Sequence, residues 1–217
     1  MPKYVSLIGN DLVQPLADLL DRLLSLPRPT EGQSAHGDER GYSISICLLA
    51  AVVVESFVMR ARYLHETEEA AKERSLHKFL AMEYPDFELS TELIEVFILR
   101  DVIAHNHLWM IESSSDRNVW IDILSKQMHV LTASVKDKKY SDYVDMEIAR
   151  TVNLCLHVIP TQIQRTDVSK VLRTVKKTLD FLAQREGPIL GVEATLATFI
   201  DRQLSLQSIL DESIKAI

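Results

Sequence analysis

Glycine and proline are scarce in this chain, 6 and 7 residues among 217. So small a supply of turn formers sets aside fibrous and disordered classes and points to long helices joined by few loops. Cysteine is scarcer still. Cys47 and Cys155 are the only two, far apart and without metal-ligand spacing, which excludes a disulfide-rich scaffold. Both stand in apolar runs and read as small core residues in a reducing compartment. Positive charge is also short, with 24 Lys and Arg against 31 Asp and Glu and a formal charge of −7. That balance argues against a surface that clings to nucleic acid all over and leaves room for a local basic cleft. The longest apolar run, Ile44 to Met59, falls short of a membrane span of about 20 residues and carries Glu55. Met1 to Asn10 has no charged segment followed by an apolar one, so a cytoplasmic protein without a membrane partner is expected.

What is present is a 47% hydrophobic chain, enough for one all-α domain over 1–217. Leu12, Leu16, Leu19, Leu20, Leu23 and Leu24 recur at helical spacing and predict a helix from Asp11 to Leu26, stopped by Pro27 and Pro29. The polar stretch 27–41 predicts a surface loop. A helix over Tyr42–His65 is apolar on nearly every side in its first half, which places it centrally, while Arg60 and Arg62 lead its second half toward water. Glu66–Met82 reads as a surface helix ended by Tyr84-Pro85-Asp86. Ser90 or Thr91 then caps a helix reaching Trp109, closed by Ser113-Ser114-Ser115-Asp116. Val119–Leu131 is ambiguous between strand and helix, and Lys136–Lys139 reads as a solvated turn. Further helices are predicted over Tyr143–Ile159, Asp167–Arg185 and Pro188–Ala216, the last an addition at the C-terminal end.

Arg100 is the residue that demands an explanation. On a helix its neighbours three and four positions away are Val96, Phe97, Ile103 and Ala104, all apolar, so no carboxylate lies at helical spacing. A guanidinium on an apolar stripe must pair with another helix or open onto a cleft. Glu55, flanked by Ala51, Val52, Val58 and Met59, is the candidate partner, either as a purely structural ion pair or as the group that holds a functional arginine.

The segment that follows, Leu99-Arg-Asp-Val-Ile-Ala-His-Asn-His-Leu108, resembles the Arg-polar-x-x-x-His signature of HEPN domains, all-α proteins many of which are metal-independent endoribonucleases. The resemblance covers Tyr42 to Leu108 and extends loosely into the C-terminal helices. It implies a HEPN-like bundle with added C-terminal helices and no metal or cofactor. It implies a homodimer whose two motifs face one cleft and an RNA substrate cleaved to a 2′,3′-cyclic phosphate and a 5′-hydroxyl. A toxin or defence role, with a neutralising antitoxin protein, comes with it. In that reading Arg100 holds phosphate, His105 is general acid or base, Asp101 orients His105 from four residues away, and Asn106 belongs to the candidate site. Helical geometry keeps His107 open as a second candidate, because positions 100 and 105 lie roughly 140° apart and 100 and 107 only about 20°. Some family toxins carry tyrosine where this chain has His107. The pair His105 and His107 cannot chelate one metal ion from a helix, since residues two apart diverge. The competing account of His105 is a cation at a helix C-terminus. The competing account of the whole chain is a non-catalytic helical module that binds RNA, nucleotide or a protein partner.

Two further features are weaker. Lys170, Arg173, Lys176 and Lys177 form a basic stretch that fits a solvated helix face better than a phosphate track. Trp109 and Trp120 fit the core better than base stacking. His36, His65, His77, His129 and His157 form no sequence cluster and receive no role.

Overall fold

A computed structural model describes residues 8–28, 37–65, 75–105, 109–111, 128–130 and 138–217. The helices in chain order are α1 (Ile8–Asp11), α2 (Val13–Ser25), α3 (Gly37–Leu64), α4 (Leu76–Glu83), α5 (Ser90–His105), α6 (Lys138–Ser141), α7 (Arg165–Glu186) and α8 (Leu206–Ala216). Among the described residues three two-stranded antiparallel ribbons interrupt them: β1 (Trp109–Ile111) with β2 (Met128–Val130), β3 (Val144–Asp145) with β4 (Arg150–Thr151), and β5 (Leu196–Phe199) with β6 (Arg202–Ser205). The chain is therefore all-α in class.

The 28-residue α3 is the axis of the bundle, and it packs on α2, α5 and α7. Its apolar residues face several ways, and Ile46, Cys47, Ala50, Val53, Val54, Phe57 and Val58 are all buried. α7 runs parallel to it. At one end Arg165 meets Glu39 at 3.3 Å, and at the other His65 Nε2 meets Glu186 Oε2 at 2.5 Å. Tyr84 donates its hydroxyl to the same Glu186 at 2.5 Å, and burial, first, then that bond push the phenol above its ordinary pKa. α5 is covered on two sides. Leu93, Val96, Phe97 and Leu99 join the main core, while Ile94, Ile98 and Val102 pack on Tyr140, Val144, Ala149, Val158 and Ile159. A helix wrapped from both sides has no polar face to display, which is why its sequence reads as almost continuously apolar.

Several sequence expectations change. The predicted 27–41 loop is shorter, because α3 already begins at Gly37; positions 29–36 lie outside the described residues. Arg60 does not lead α3 into water. It is buried at 4% exposure, donates to the Leu190 carbonyl and to Asn10 Oδ1, and burial lowers its pKa. Gly191, at φ 75, lets the chain pass this guanidinium, since a Cβ there would sit 3.1 Å from Arg60 Nη1. The predicted helix to Trp109 stops at His105, and Trp109 belongs to β1. Lys138 and Lys139 begin the one-turn helix α6 rather than a turn, and Met128–Val130 resolves to strand. The segment 66–74, Ser113 to Asp116, Trp120 and positions 136–137 lie outside the described residues. Tyr143–Ile159 is no helix but the β3–β4 ribbon and turns, and Pro188–Ala216 is a 3-10 turn, the β5–β6 ribbon and only then α8. Cys155 is exposed rather than a core residue, whereas Cys47 is buried; burial, with the nearby Asp167 charge, pushes its thiol well above the ordinary range, so it is no nucleophile.

α3 is long and apolar enough to cross a membrane, so the length argument drawn from Ile44–Met59 alone does not hold. Half of its most apolar stretch is instead buried by neighbouring helices.

The turn between β5 and β6 places Ile200 at φ 47 and Asp201 at φ 59. Successive left-handed residues are the signature of a tight hairpin turn that favours Asn-Gly, and a β-branched residue there is strained by about 1–2 kcal/mol. Ile200 is 47% exposed, so little packing is lost by replacing it. The double variant Ile200→Asn, Asp201→Gly is therefore expected to gain about 1–2 kcal/mol, visible as a melting temperature several degrees higher. An unchanged or lower melting temperature would show that the turn carries no strain.

Candidate functional site

Glu55 and Arg100 each sit about two-thirds of the way along their helices, α3 and α5, and the packing of the two helices brings their charged ends together. Arg100 Nη1 donates to Glu55 Oε2. Its Nε and Nη2 donate to Asp101 Oδ1 at 2.9 and 2.8 Å. The partner expected from another helix is thus present, and a second comes from the adjacent residue, which the three-and-four rule of helix neighbours did not consider. Burial works against the charge of Arg100, but the bonds to Glu55 and Asp101 outweigh it and raise its pKa. Arg100 therefore stays charged and cannot exchange protons. Its side chain is 22% exposed, with Glu55 at 33% and Asp101 at 17%, so the cluster is half-buried rather than sealed. Phe97, one turn back, lies under the guanidinium with its ring centroid 5.3 Å away. Of five guanidinium N–H groups, three are spent on carboxylates and two remain.

His105 is the last residue of α5 and is exposed. The helix is continuous from Ser90 to His105. The bend or earlier end at Ala104 that would swing His105 under Arg100 is not there. Within one protomer the two residues stay roughly 140° apart around the axis and about 7.5 Å along it. Asn106 and His107 lie outside the described residues. The site as found is Glu55, Arg100 and Asp101 joined, with His105 at the open end of the same helix.

Among the charged groups that sequence reasoning missed are two buried carboxylates besides Glu39 and Glu186. Glu95, fully buried on α5, accepts at 2.7 Å from each of Asn153 N–H, Asn153 Nδ2 and Leu154 N–H. Asp167, fully buried in the first turn of α7, accepts from His157 N–H at 3.0 Å, His157 Nδ1 at 2.9 Å and Gln164 N–H at 2.9 Å. Arg150 Nη2 donates to His157 Nε2 at 2.7 Å, which fixes the proton of the neutral ring on Nδ1. The pattern Gln164-x-x-Asp167 is a helix-start signal that identifies this carboxylate as a cap.

The basic stretch of α7 divides. Lys176 pairs with Asp180 at 2.5 Å and Asp211 at 3.5 Å, and the bond to Asp180, first among its causes, raises its pKa. Lys170, Arg173 and Lys177 have no carboxylate partner among the described residues. No group of His, Cys, Asp and Glu among the described residues could hold a metal ion.

No family model, curated protein or solved structure matches this chain.

Proposed function

We propose that the chain is a metal-independent endoribonuclease of HEPN type, acting as a cytoplasmic homodimer on RNA in a toxin or defence role, with an antitoxin protein as its regulator. The observation that carries this reading is a half-buried arginine braced by Glu55 and Asp101 and keeping two N–H donors, on a helix that ends in an exposed histidine. Bracing from two sides fixes the guanidinium in place before substrate arrives, which electrostatic catalysis requires.

In this mechanism Arg100 holds the non-bridging oxygens of the scissile phosphate. His105 takes the proton from the ribose 2′-hydroxyl while the 2′-oxygen forms its bond to phosphorus and the bond from phosphorus to the 5′-oxygen breaks. An imidazolium supplies the proton that the departing 5′-oxygen takes up. Because Arg100 and His105 diverge on one continuous helix, the working pair is drawn from both protomers, Arg100 of one with the histidine of the other. Two-fold symmetry then makes two equivalent pairs.

The test is RNA cleavage by the purified dimer in EDTA. Arg100→Ala and His105→Ala are each expected to lower the rate at least about a hundredfold with circular dichroism unchanged. Undiminished cleavage by both variants, or none by the wild type, defeats the proposal.

A non-catalytic helical module is favoured by one specific observation. Two carboxylates contact a single guanidinium, leaving the cluster with surplus negative charge that opposes phosphate. On that reading Arg100→Ala lowers stability, by leaving Glu55 and Asp101 uncompensated, and no cleavage is ever seen.

A further inference from the structure

Two cations meet on one carbonyl oxygen beside the first turns of α7. Lys170 Nζ donates to the Cys155 carbonyl at 3.2 Å, and Arg150 Nη1 donates to the same oxygen at 3.5 Å. The ammonium and guanidinium can be no farther apart than those two distances laid end to end. Like charges so close repel; the carbonyl dipole between them offsets part of that, and an anion held by both offsets more.

No carboxylate of the described residues fills that role. Asp145, the cross-strand neighbour of Arg150, uses its Oδ1 to accept from Glu147 and Ile148 N–H at 2.9 and 3.4 Å. Asp167 is spent on His157 and Gln164. Arg100, Arg165, Lys176, Arg185 and Arg202 each have a carboxylate, whereas Arg150 and Lys170, like Arg28 and Arg40, donate to backbone carbonyls. What distinguishes Arg150 and Lys170 is that both donate to one and the same oxygen, with no carboxylate of the described residues on either.

The arrangement is built rather than incidental. Arg150 is held through Nη2 on His157, whose ring is held in turn by buried Asp167. The loop that presents Arg150 and the Cys155 carbonyl is bent by two non-glycine residues in the left-handed region, Ala149 at φ 54 and Cys155 at φ 51. Such strain, about 1–2 kcal/mol per residue, concentrates where a particular geometry is used. Arg150 keeps Nε–H and one N–H on each terminal nitrogen, a fork suited to an oxyanion, and Lys170 keeps two of its three donors. Arg173, exposed and also without a carboxylate, follows Lys170 three positions on, on the same face of α7 and about 4.5 Å along it.

We propose that Arg150, Lys170 and Arg173 form a binding site for a phosphate ester, one phosphate held between Arg150 and Lys170 and a second, in a longer ligand, on Arg173. The phosphate can come from a free nucleotide or from an RNA strand, and the chemistry of recognition is the same. The site shares no residue with Arg100, Asp101 or His105, so it stands or falls by binding whether or not the chain cleaves RNA.

The full-length protein is titrated at low salt with inorganic phosphate, adenosine 5′-monophosphate and a ten-nucleotide single-stranded RNA. The wild type is compared with Arg150→Gln, Lys170→Gln and Arg173→Gln. Arg150→Gln and Lys170→Gln are expected to weaken binding at least tenfold, and Arg173→Gln to weaken only the RNA, with its salt dependence shallower by about one charge. Binding should also move the His157 Nε2 resonance in a 15N spectrum, because that nitrogen shares Arg150 with the ligand. Small ligands bound without RNA support a nucleotide source, and RNA bound more tightly than either supports a strand. Lys170→Gln gives up only the bond to the Cys155 carbonyl, so full affinity of Lys170→Gln for all three probes, or of Arg173→Gln for the RNA, overturns the proposal, as does failure of all three probes to bind the wild type. Cleavage is scored separately, so loss of this site and loss of the Arg100 mechanism give different results.

Discussion

Asp167→Ala is expected to lower the unfolding free energy by about 4 kcal/mol, with the urea slope unchanged. The carboxylate is fully buried and takes three donors, two from His157 and one from the Gln164 backbone. Alanine leaves those donors in a dry site, at about 1–3 kcal/mol for each one unsatisfied, with some overlap because they share one cavity. It also removes the acceptor at the first turn of α7. Asp167→Asn separates charge from shape and is expected to be almost as harmful. In one amide orientation its NH2 faces the His157 backbone N–H, and in the other it faces Gln164 N–H and the ring. Relief by tautomer exchange would then point Nε2–H at Arg150. A loss below about 1.5 kcal/mol for either variant would mean that the dyad contributes little.

Glu95→Ala is the second large effect, at about 3 kcal/mol. Three bonds of 2.7 Å fasten residues 153 and 154 to the middle of α5, across the boundary between the main core and the smaller apolar cluster around Tyr140 and Val158. Asn153 is exposed and its freed donors reach water, so the loss is smaller than at Asp167. The local signature matters more than the total. Hydrogen exchange at the Asn153 and Leu154 amides should accelerate far beyond that at α7, because the loop can lift off while the bundle persists. Equal acceleration everywhere would assign Glu95 to global stability alone.

The two longest helices were legible in the sequence for a simple reason. The axial helix is marked by unbroken apolar residues, and α7 by apolar residues at helical period such as Val168, Val171, Leu172, Val175, Leu179 and Leu182, every one buried. The pairing of Glu55 with Arg100 was legible too, since two charges in apolar runs have few places to go. What misled was the scarcity of glycine. Val144, Ile148, Val152 and Leu156 repeat every four residues and imitate a helix, yet Ile148 and Val152 are exposed and the chain turns at Ala149 and Cys155. The C-terminal hairpin was hidden in the same way, behind Ile200 and Asp201. Positions that usually call for glycine are filled here by Ala149, Cys155, Ile200 and Asp201, and no local pattern announces that. Arg150 and Lys170 were invisible as a pair because only those strained turns bring them together.

Gln14 on α2 has a role beyond joining a helix to a ribbon. Its side-chain amide donates to the Thr198 carbonyl at 2.9 Å and accepts from the Thr198 N–H at 2.8 Å. Those are the two bonds a neighbouring strand would make on that edge of β5. A single glutamine thus stands in for a strand, and the outer rim of the hairpin offers that much less purchase to an extended segment of another molecule. Since Leu196 and Ile200 are exposed close by, an open rim there would be an invitation to sheet-like self-association. The amide closes it while leaving the hairpin itself on the surface.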